Sequence, residues 1–489
     1  MSGLPWLSLL VWLPILGIPL LWSVRSDRAV NRVALGIAGV ELVVSLLVIL
    51  AMDRTLPTFQ FQEEHSWIET LRISYRLGVD GLSAPFLPLT GLLFFGTILV
   101  SELGQGQARQ RLAFLLVLEG VTMGIFCALD LILFFLFWEM TLLPIYLLVS
   151  LWGIGPHRRQ AALKYTLLML VGGVPLLFGL ILAALSRPEQ GMVFSLPALL
   201  NLSIPGSAQT AIFLLLVLGF GVKIPVWPLH TWLPLLAMEG PFAVTAVMTG
   251  LKLGAYGLLR FALPLAPQAA HEFQWLLAGL GVVGVIYGGL VSLAQSNLRL
   301  LLAYGSMSHV GLVVLGLAAL TPQGVQGAQF HLLSFALTTG GLFLLAQGVH
   351  RRLGSTDLSH MGGIARTMPM AASAVLVLGL ASIGVPLTVG FPGEHLILVG
   401  TLNAFMGAGL ASLGGSILGA AAFLGFYRNA FLGPVVRAEV SQLTDLLPRE
   451  RWLAGIWVLL VLGGGFVPRL VLDFSRSSVA GWLARMALH

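Results

Sequence analysis

Charge is what this 489-residue chain has least of: 9% of its residues are Asp, Glu, Lys or Arg, against roughly 25% in an ordinary soluble protein. So few charges cannot cover a soluble multidomain chain of this length, and a protein dissolved in lipid is expected instead. Cysteine is nearly missing. Cys127 stands alone in an apolar run, which excludes disulfides, CxxC redox pairs, thiolate zinc sites and cysteine-held iron–sulfur clusters within this chain. Phosphate-cradling loops are missing as well: the sequence has 58 glycines but neither GxGxxG nor GxxxxGK[ST] beside a strand. Lysine is scarce in a more pointed way. Of 26 basic residues only Lys164, Lys223 and Lys252 are lysine; the rest are arginine.

What is present is apolar sequence, 57% of the residues. Windows near 4–23, 29–51, 82–101, 112–129, 131–152, 161–185, 209–238, 241–264, 272–294, 298–319, 325–349, 370–400, 404–433 and 452–474 each suit a bilayer crossing. They predict an all-α polytopic membrane domain over 1–489 with about fourteen transmembrane helices. The first window has no preceding basic region and no small-residue cleavage site, so it reads as a retained helix. Two windows are too long for one span and are interrupted, at Gly221, Pro225, Pro228 and Pro234 in one, and at Gly384, Pro386, Gly390, Pro392 and Gly393 in the other. Discontinuous helices at corresponding places in two halves are the pattern of an inverted-repeat transporter. The expected parts are an N-terminal segment 1–111, inverted five-helix repeats 112–264 and 272–433, and a C-terminal helix and tail 452–489. A short alternating stretch, Trp67 to Leu77, suits a hairpin.

The net charge of +6 does not point to nucleic acid, because the arginines fall in short loops between apolar runs. With both termini outside, sixteen Lys and Arg lie on inner segments and eight, Arg260 among them, on outer ones. Lys223 and Lys252 belong to no loop. This asymmetry supports an even helix count with both termini on the outer or lumenal face of a bacterial plasma membrane or a cyanobacterial thylakoid membrane.

Four ionisable groups stand where lipid should exclude them. Glu139 lies nine residues beyond Asp130, about 14 Å into the span, and Lys252 eleven residues beyond Pro241, about 16 Å. Lys223 immediately precedes the first helix break and Glu394 follows the second. Each costs at least about 2.5–3.5 kcal/mol at such depth, so the set requires pairing, water or a function. A structural ion pair is the plain reading, but small residues glue helices more cheaply. A proton relay explains the lysines, because a buried ammonium can release its proton whereas guanidinium cannot. His230, His309 and His331 supply intermediates that titrate near neutrality. Glu119, Glu239 and Glu41 could join the relay, cap helix ends or meet a partner. Ser306, Ser308 and His309 do not suit nucleophilic catalysis, since no carboxylate orients the histidine and no oxyanion loop is evident.

Three segments, FFLFWEMTLLPIYLLVSLWG at 134–153, KIPVWPLHTWLP at 223–234 and NLRLLLAYGSMSHVGLVVLG at 297–316, carry a family likeness. DLSHMGG at 357–363, GFPGEHLILVG at 390–400 and YRNAFLGP at 427–434 extend it. Together they resemble the antiporter-like membrane subunits of respiratory complex I, specifically the M-type or chain 4 subunit, called D-type in cyanobacterial and chloroplast complexes. The resemblance implies a fourteen-helix proton channel without a cofactor of its own. It also implies partner subunits that carry iron–sulfur clusters and bind quinone or plastoquinone, a second antiporter-like subunit, and a translocase acting as part of an NAD(P)H or ferredoxin:quinone oxidoreductase. By the same resemblance Glu139 tunes Lys223, Lys252 passes protons laterally and Glu394 stands toward the outer exit. Glutamate at 394 is similar to the M-type pattern, where the L- and N-type sisters carry lysine. Multisubunit sodium/proton antiporters share most of these motifs and are the alternative. The chain departs from the pattern at Leu235 and Ala237, where the family has Asp and His, and at Phe335, where it has His. His331, one turn earlier on the same face, is expected to substitute.

Overall fold

A computed structural model of the chain describes residues 4–101, 107–187, 189, 191–202 and 204–487. It is mostly helical. The N-terminal part holds α1 (Trp6–Leu16), α2 (Asp27–Ala51), α3 (Phe86–Leu99) and α4 (Ala108–Cys127). Next come α5 (Leu131–Met140), α6 (Leu142–Trp152), α7 (Arg158–Ala184), the short α8 (Leu196–Leu200), α9 (Gly206–Lys223) and α10 (Trp232–Glu239). Helices α11 (Phe242–Gly250), α12 (Leu253–Gly257) and α13 (Leu263–Leu265) follow, with a wider π turn at Leu258–Ala262 between the last two. The second half has α14 (Pro267–Glu272), α15 (Gln274–Leu293), α16 (Leu298–Ala318), α17 (Pro322–Leu353), α18 (Pro369–Ser382), α19 (Gly390–Ala404) and α20 (Met406–Tyr427). Two last helices, α21 (Pro448–Phe466) and α22 (Arg469–Ala487), close the chain.

Among the described residues ten helices are long and apolar enough to cross a membrane, or eleven if the bent α21–α22 pair is one span. Three more apolar stretches, Trp6–Leu21, Phe86–Leu99 and Pro369–Ser382, are shorter. The fourteen windows thus yield fewer unbroken spans than expected, because glycine and proline cut several windows into pieces.

Local signals set the helix starts. Asp130 caps α5 by accepting the amides of Ile132 and Leu133 at 2.9 and 3.1 Å, Asn297 caps α16 through Arg299 at 3.0 Å, and Thr321 caps α17 just before Pro322. Helix α17 has 32 residues, about 48 Å of helix against a ~30 Å hydrocarbon core. It packs against α3, α11, α16, α18, α19, α21 and α22, and its apolar window is 94% buried, so the second half is built around it. By contrast α7 exposes Leu163, Leu167, Val171, Val174 and Phe178, a stripe at helical spacing that suits contact with lipid tails.

Two features lie outside the sequence expectation. The hairpin begins earlier than the alternating stretch: β1 (Gln60–Ile68) pairs antiparallel with β2 (Ile73–Val79), Glu64 opposite Arg76. The early part has a job that alternation does not encode, since the Glu63 carboxylate accepts the amides of Leu7 and Ser8 at 2.7 and 3.0 Å and satisfies the start of α1. The tail from 474 to 487 is helical. Helix α22 turns 64° from α21 and fastens the fold: Trp482 donates to the Leu259 carbonyl at 2.9 Å, Ser477 to that of Arg54 at 2.6 Å, and Ser478 accepts the Gly81 amide at 2.9 Å.

Candidate functional site

Each of the four membrane-depth charges stands at or beside an interruption of its helix. Lys223 ends α9, after which 224–231 leave helical geometry before α10. Lys252 lies between α11 and α12, with Leu251 extended (ψ 102°) and Lys252 itself non-helical (ψ 65°). Glu139 precedes the α5–α6 junction at Thr141, and Glu394 lies just inside α19 after the 383–389 break. Broken helices leave peptide groups unpaired at membrane depth, and their ends carry partial charge: positive at N-termini, negative at C-termini. Lys223 at a helix C-terminus and Glu394 in the first turns of a helix have the favourable sign.

The two lysine breaks adjoin each other. Gly254, two residues beyond Lys252, faces the end of α9 so closely that a Cβ there would lie 2.7 Å from the Phe220 carbonyl oxygen and 2.8 Å from the Ile224 amide nitrogen. Glycine is needed here for close approach.

Around Lys223 the partner is a hydroxyl. Its Nζ donates to Thr141 Oγ1 at 3.1 Å and to the Trp138 carbonyl at 3.5 Å, and rests 3.9 Å from the centroid of the Trp138 ring. Glu139 does not close an ion pair on it: the carboxylate Oε1 is buried without a hydrogen-bond partner. The pair is open.

Around Lys252 lies a longer polar array. Its Nζ donates to Ser306 of α16 and sits 5.4 Å from the Phe335 ring. A cavity of about 40 Å³ is lined by Ser306, His309, Phe335, Ser292 and Thr339 among others, and this is room for a water molecule. His309, one turn beyond Ser306, has its ring 5.4 Å from His331 and 4.8 Å from Phe335. Its Nδ1 is 3.8 Å from Glu394 Oε1, while Ser416 donates to Glu394 Oε2 at 3.4 Å. Backbone geometry assembles the cluster. Gly384 in the break holds φ +68°, and Gly393 lets α19 approach the His331 backbone, where a Cβ would meet it at 3.0 Å.

The remaining sequence candidates lie elsewhere. His230, in the first break, stacks edge-on with Tyr287 at 5.1 Å, and its Nδ1 is unpartnered. Glu239 fastens a loop: its carboxylate accepts the His157 amide at 2.7 Å and its carbonyl that of Ile154 at 2.8 Å. Glu119 of α4 lies beside Glu41 of α2, both wholly buried and within hydrogen-bonding reach of each other. The arginine count needs correction. Arg260, expected on an outer loop, is 3% exposed and pairs through both terminal nitrogens with Asp80, at 2.9 Å for Nη1 to Oδ2. Arg299, expected on an inner loop, is buried against Phe242 and donates to the Gly240 carbonyl. Sequence distance hid the first pair, since Asp80 stands 180 residues away.

The segment holding all four interior charges and the three histidines matches, over residues 128–419, the family described as NADH:quinone oxidoreductase/Mrp antiporter, transmembrane. The chain belongs to this family. Within it the chain is an antiporter-like membrane subunit of the complex I kind. Over 97% of its length it is 35% identical to NADH-quinone oxidoreductase subunit M of Rhodobacter capsulatus, of which 95% is covered. It is also 35% identical to NAD(P)H-quinone oxidoreductase chain 4 1 of Synechococcus sp., across 95% of this chain and 90% of that protein. Among solved structures it is similar to a chain of respiratory complex I from Thermus thermophilus with bound NADH, at 31% identity, 99% coverage of each chain and a TM-score of 0.90. Family membership extends beyond the matched core, since both relatives align with nearly the whole chain.

Proposed function

We propose that this chain carries protons across the membrane as a non-redox subunit of a complex I-like NAD(P)H or ferredoxin:quinone oxidoreductase, through Glu139, Lys223, Lys252, His309, His331 and Glu394. The observation that carries the reading is the open pair. Lys223 rests on a hydroxyl with Glu139 nearby but unbonded, so a small displacement closes or opens the pair and changes the lysine's hold on its proton. Protons arrive from the inner side at Lys223, pass to Lys252 across the adjoining breaks, and move through Ser306 and cavity water to His309 and Glu394. His230 serves the inner approach, and His331 takes the place of the histidine lost at Phe335. Quinone chemistry, iron–sulfur clusters and a second antiporter-like subunit belong to partners. The topology we infer is fourteen helices with both termini outside and inverted repeats at 112–264 and 272–433; the two helix breaks support it.

The test is proton uptake by the assembled complex in liposomes. With Lys252→Ala, quinone reduction should persist while pumping through this subunit stops; unchanged pumping sinks the proposal. His331→Ala should slow it, and no change would remove His331 from the path. Proton movement driven by a sodium gradient without any quinone would instead favour the sodium/proton antiporter reading.

A further inference from the structure

The polar array ends in a donor set that a proton path alone does not require. His309, His331 and Glu394 each place one ligand atom within 4.8 Å of the other two. His309 Nδ1 stands 3.8 Å from Glu394 Oε1. Both ring nitrogens of His331 are buried without hydrogen-bond partners, as is Nδ1 of His309. His331 is 2% exposed, and its backbone lies against Gly393 of α19. An imidazole in such a place ordinarily donates or accepts at least one hydrogen bond. One ligand atom of His331 lies within 4.8 Å of those of a second imidazole, His309, and a carboxylate, Glu394, a donor set that one ion can share.

The geometry points to a binding site for a divalent transition-metal ion of the zinc type at His309, His331 and Glu394, whose occupancy blocks the outer end of the proton path. Two imidazoles and one carboxylate with an open fourth position suit Zn²⁺, whereas Mg²⁺ and Ca²⁺ prefer all-oxygen shells. In a tetrahedral site with bonds of about 2.0–2.1 Å the donors stand about 3.4 Å apart. The donors, within 4.8 Å of one another, need to draw in by at most about 1.4 Å to reach that spacing. The side chains of His309 and Glu394 are 15% and 13% exposed, while His331 is buried. The Ser416 hydroxyl, 3.4 Å from Glu394 Oε2, holds the carboxylate's second oxygen and so leaves Oε1 for the ion. The site arises from the departure at 331 and 335. Moving the imidazole back one turn puts it beside Glu394, and Phe335 fills the space toward Lys252.

Binding stands on the donor geometry; the block on proton flow rests on the relay reading above. The experiment separates them. The full chain in lipid nanodiscs is titrated with Co²⁺, whose tetrahedral complexes absorb in the visible range, and then with Zn²⁺ in competition. One Co²⁺ per chain with visible bands that Zn²⁺ removes supports the site, as does loss of the bands in His331→Phe and in Glu394→Gln. Lys252→Met keeps all three donors and should keep the bands, so it also controls for folding of relay variants. No bands in the native chain, or bands that survive both donor substitutions, overturn the proposal. In the assembled native complex, external Zn²⁺ should slow proton translocation at least tenfold at the concentration that displaces Co²⁺, and Mg²⁺ should not. Full pumping with Zn²⁺ saturating overturns the block. If Lys252→Met itself pumps normally, the relay fails while the metal site stands.

Discussion

Asp80 with Arg260 and Glu139 with Lys223 are both carboxylate–cation couples inside one membrane chain, and they are built to opposite specifications. The first is closed: both guanidinium end nitrogens meet both carboxylate oxygens, each side chain is under a tenth exposed, and α22 is fastened to the adjacent Leu259 carbonyl. Its cation cannot give up a proton under any physiological condition. The second is open, its cation resting on a threonine hydroxyl instead of the carboxylate and able to release a proton. What differs is the charge carrier. Arginine holds where the fold needs a permanent bond, and lysine stands where charge has to come and go.

The comparison breaks most sharply at Lys223. Replacing it with Ala should abolish proton translocation through this subunit while leaving the unfolding midpoint unchanged or raised, since no closed pair is lost; a liposome pumping assay beside a thermal melt reads both. Lys223→Arg should fail equally to pump, and a pumping arginine variant would refute the requirement for a releasable proton. Arg260→Ala should do the reverse, costing about 3–5 kcal/mol of stability by stranding Asp80 while the complexes that do assemble still pump. Asp80→Leu with Arg260→Met together should recover most of that loss, as measured by a double-mutant cycle. Gly254→Ala should cost about 1–3 kcal/mol by overpacking the junction of the two lysine breaks, and pumping should slow because the breaks move apart. Smallest is Glu239→Gln. It should lower stability by about 1 kcal/mol by weakening one charge-assisted bond to the 153–157 loop and leave pumping intact; a large pumping defect would return Glu239 to the relay.

Much of the site could be read from spacing because lipid is a strict filter. Glu139, Lys223, Lys252 and Glu394 were visible as charges at a depth where charge is expensive. Prolines and glycines around 221–234 and 384–393 marked both long interruptions. The interruption at Lys252 was less visible, since no proline announces it; the flanking Gly250 and Gly254 were the available signal. Pairing across long separations was not legible at all, so Arg260 read as a loop charge and Asp80 carried no meaning. Helix α22 was missed for a related reason. Its Arg469, Asp473, Arg476 and Arg485 make a polar tail by composition, and only the bundle it packs against supplies the apolar face that makes it a helix. His331 shows the converse. Four residues' separation on a helix predicted its face correctly, but its neighbourhood with Glu394 depends on Gly393 and the approach of α19.

The interruptions have an electrical consequence. An intact helix in a bilayer is an insulated wire, every peptide dipole matched to the next and none offered to a passing charge. Where the chain is cut, bare terminals appear, and the four charges are soldered to those terminals. Straightening either long break, for instance by replacing Pro225 or Pro386 with alanine, would restore insulation, and a subunit that kept every ionisable side chain would then conduct nothing.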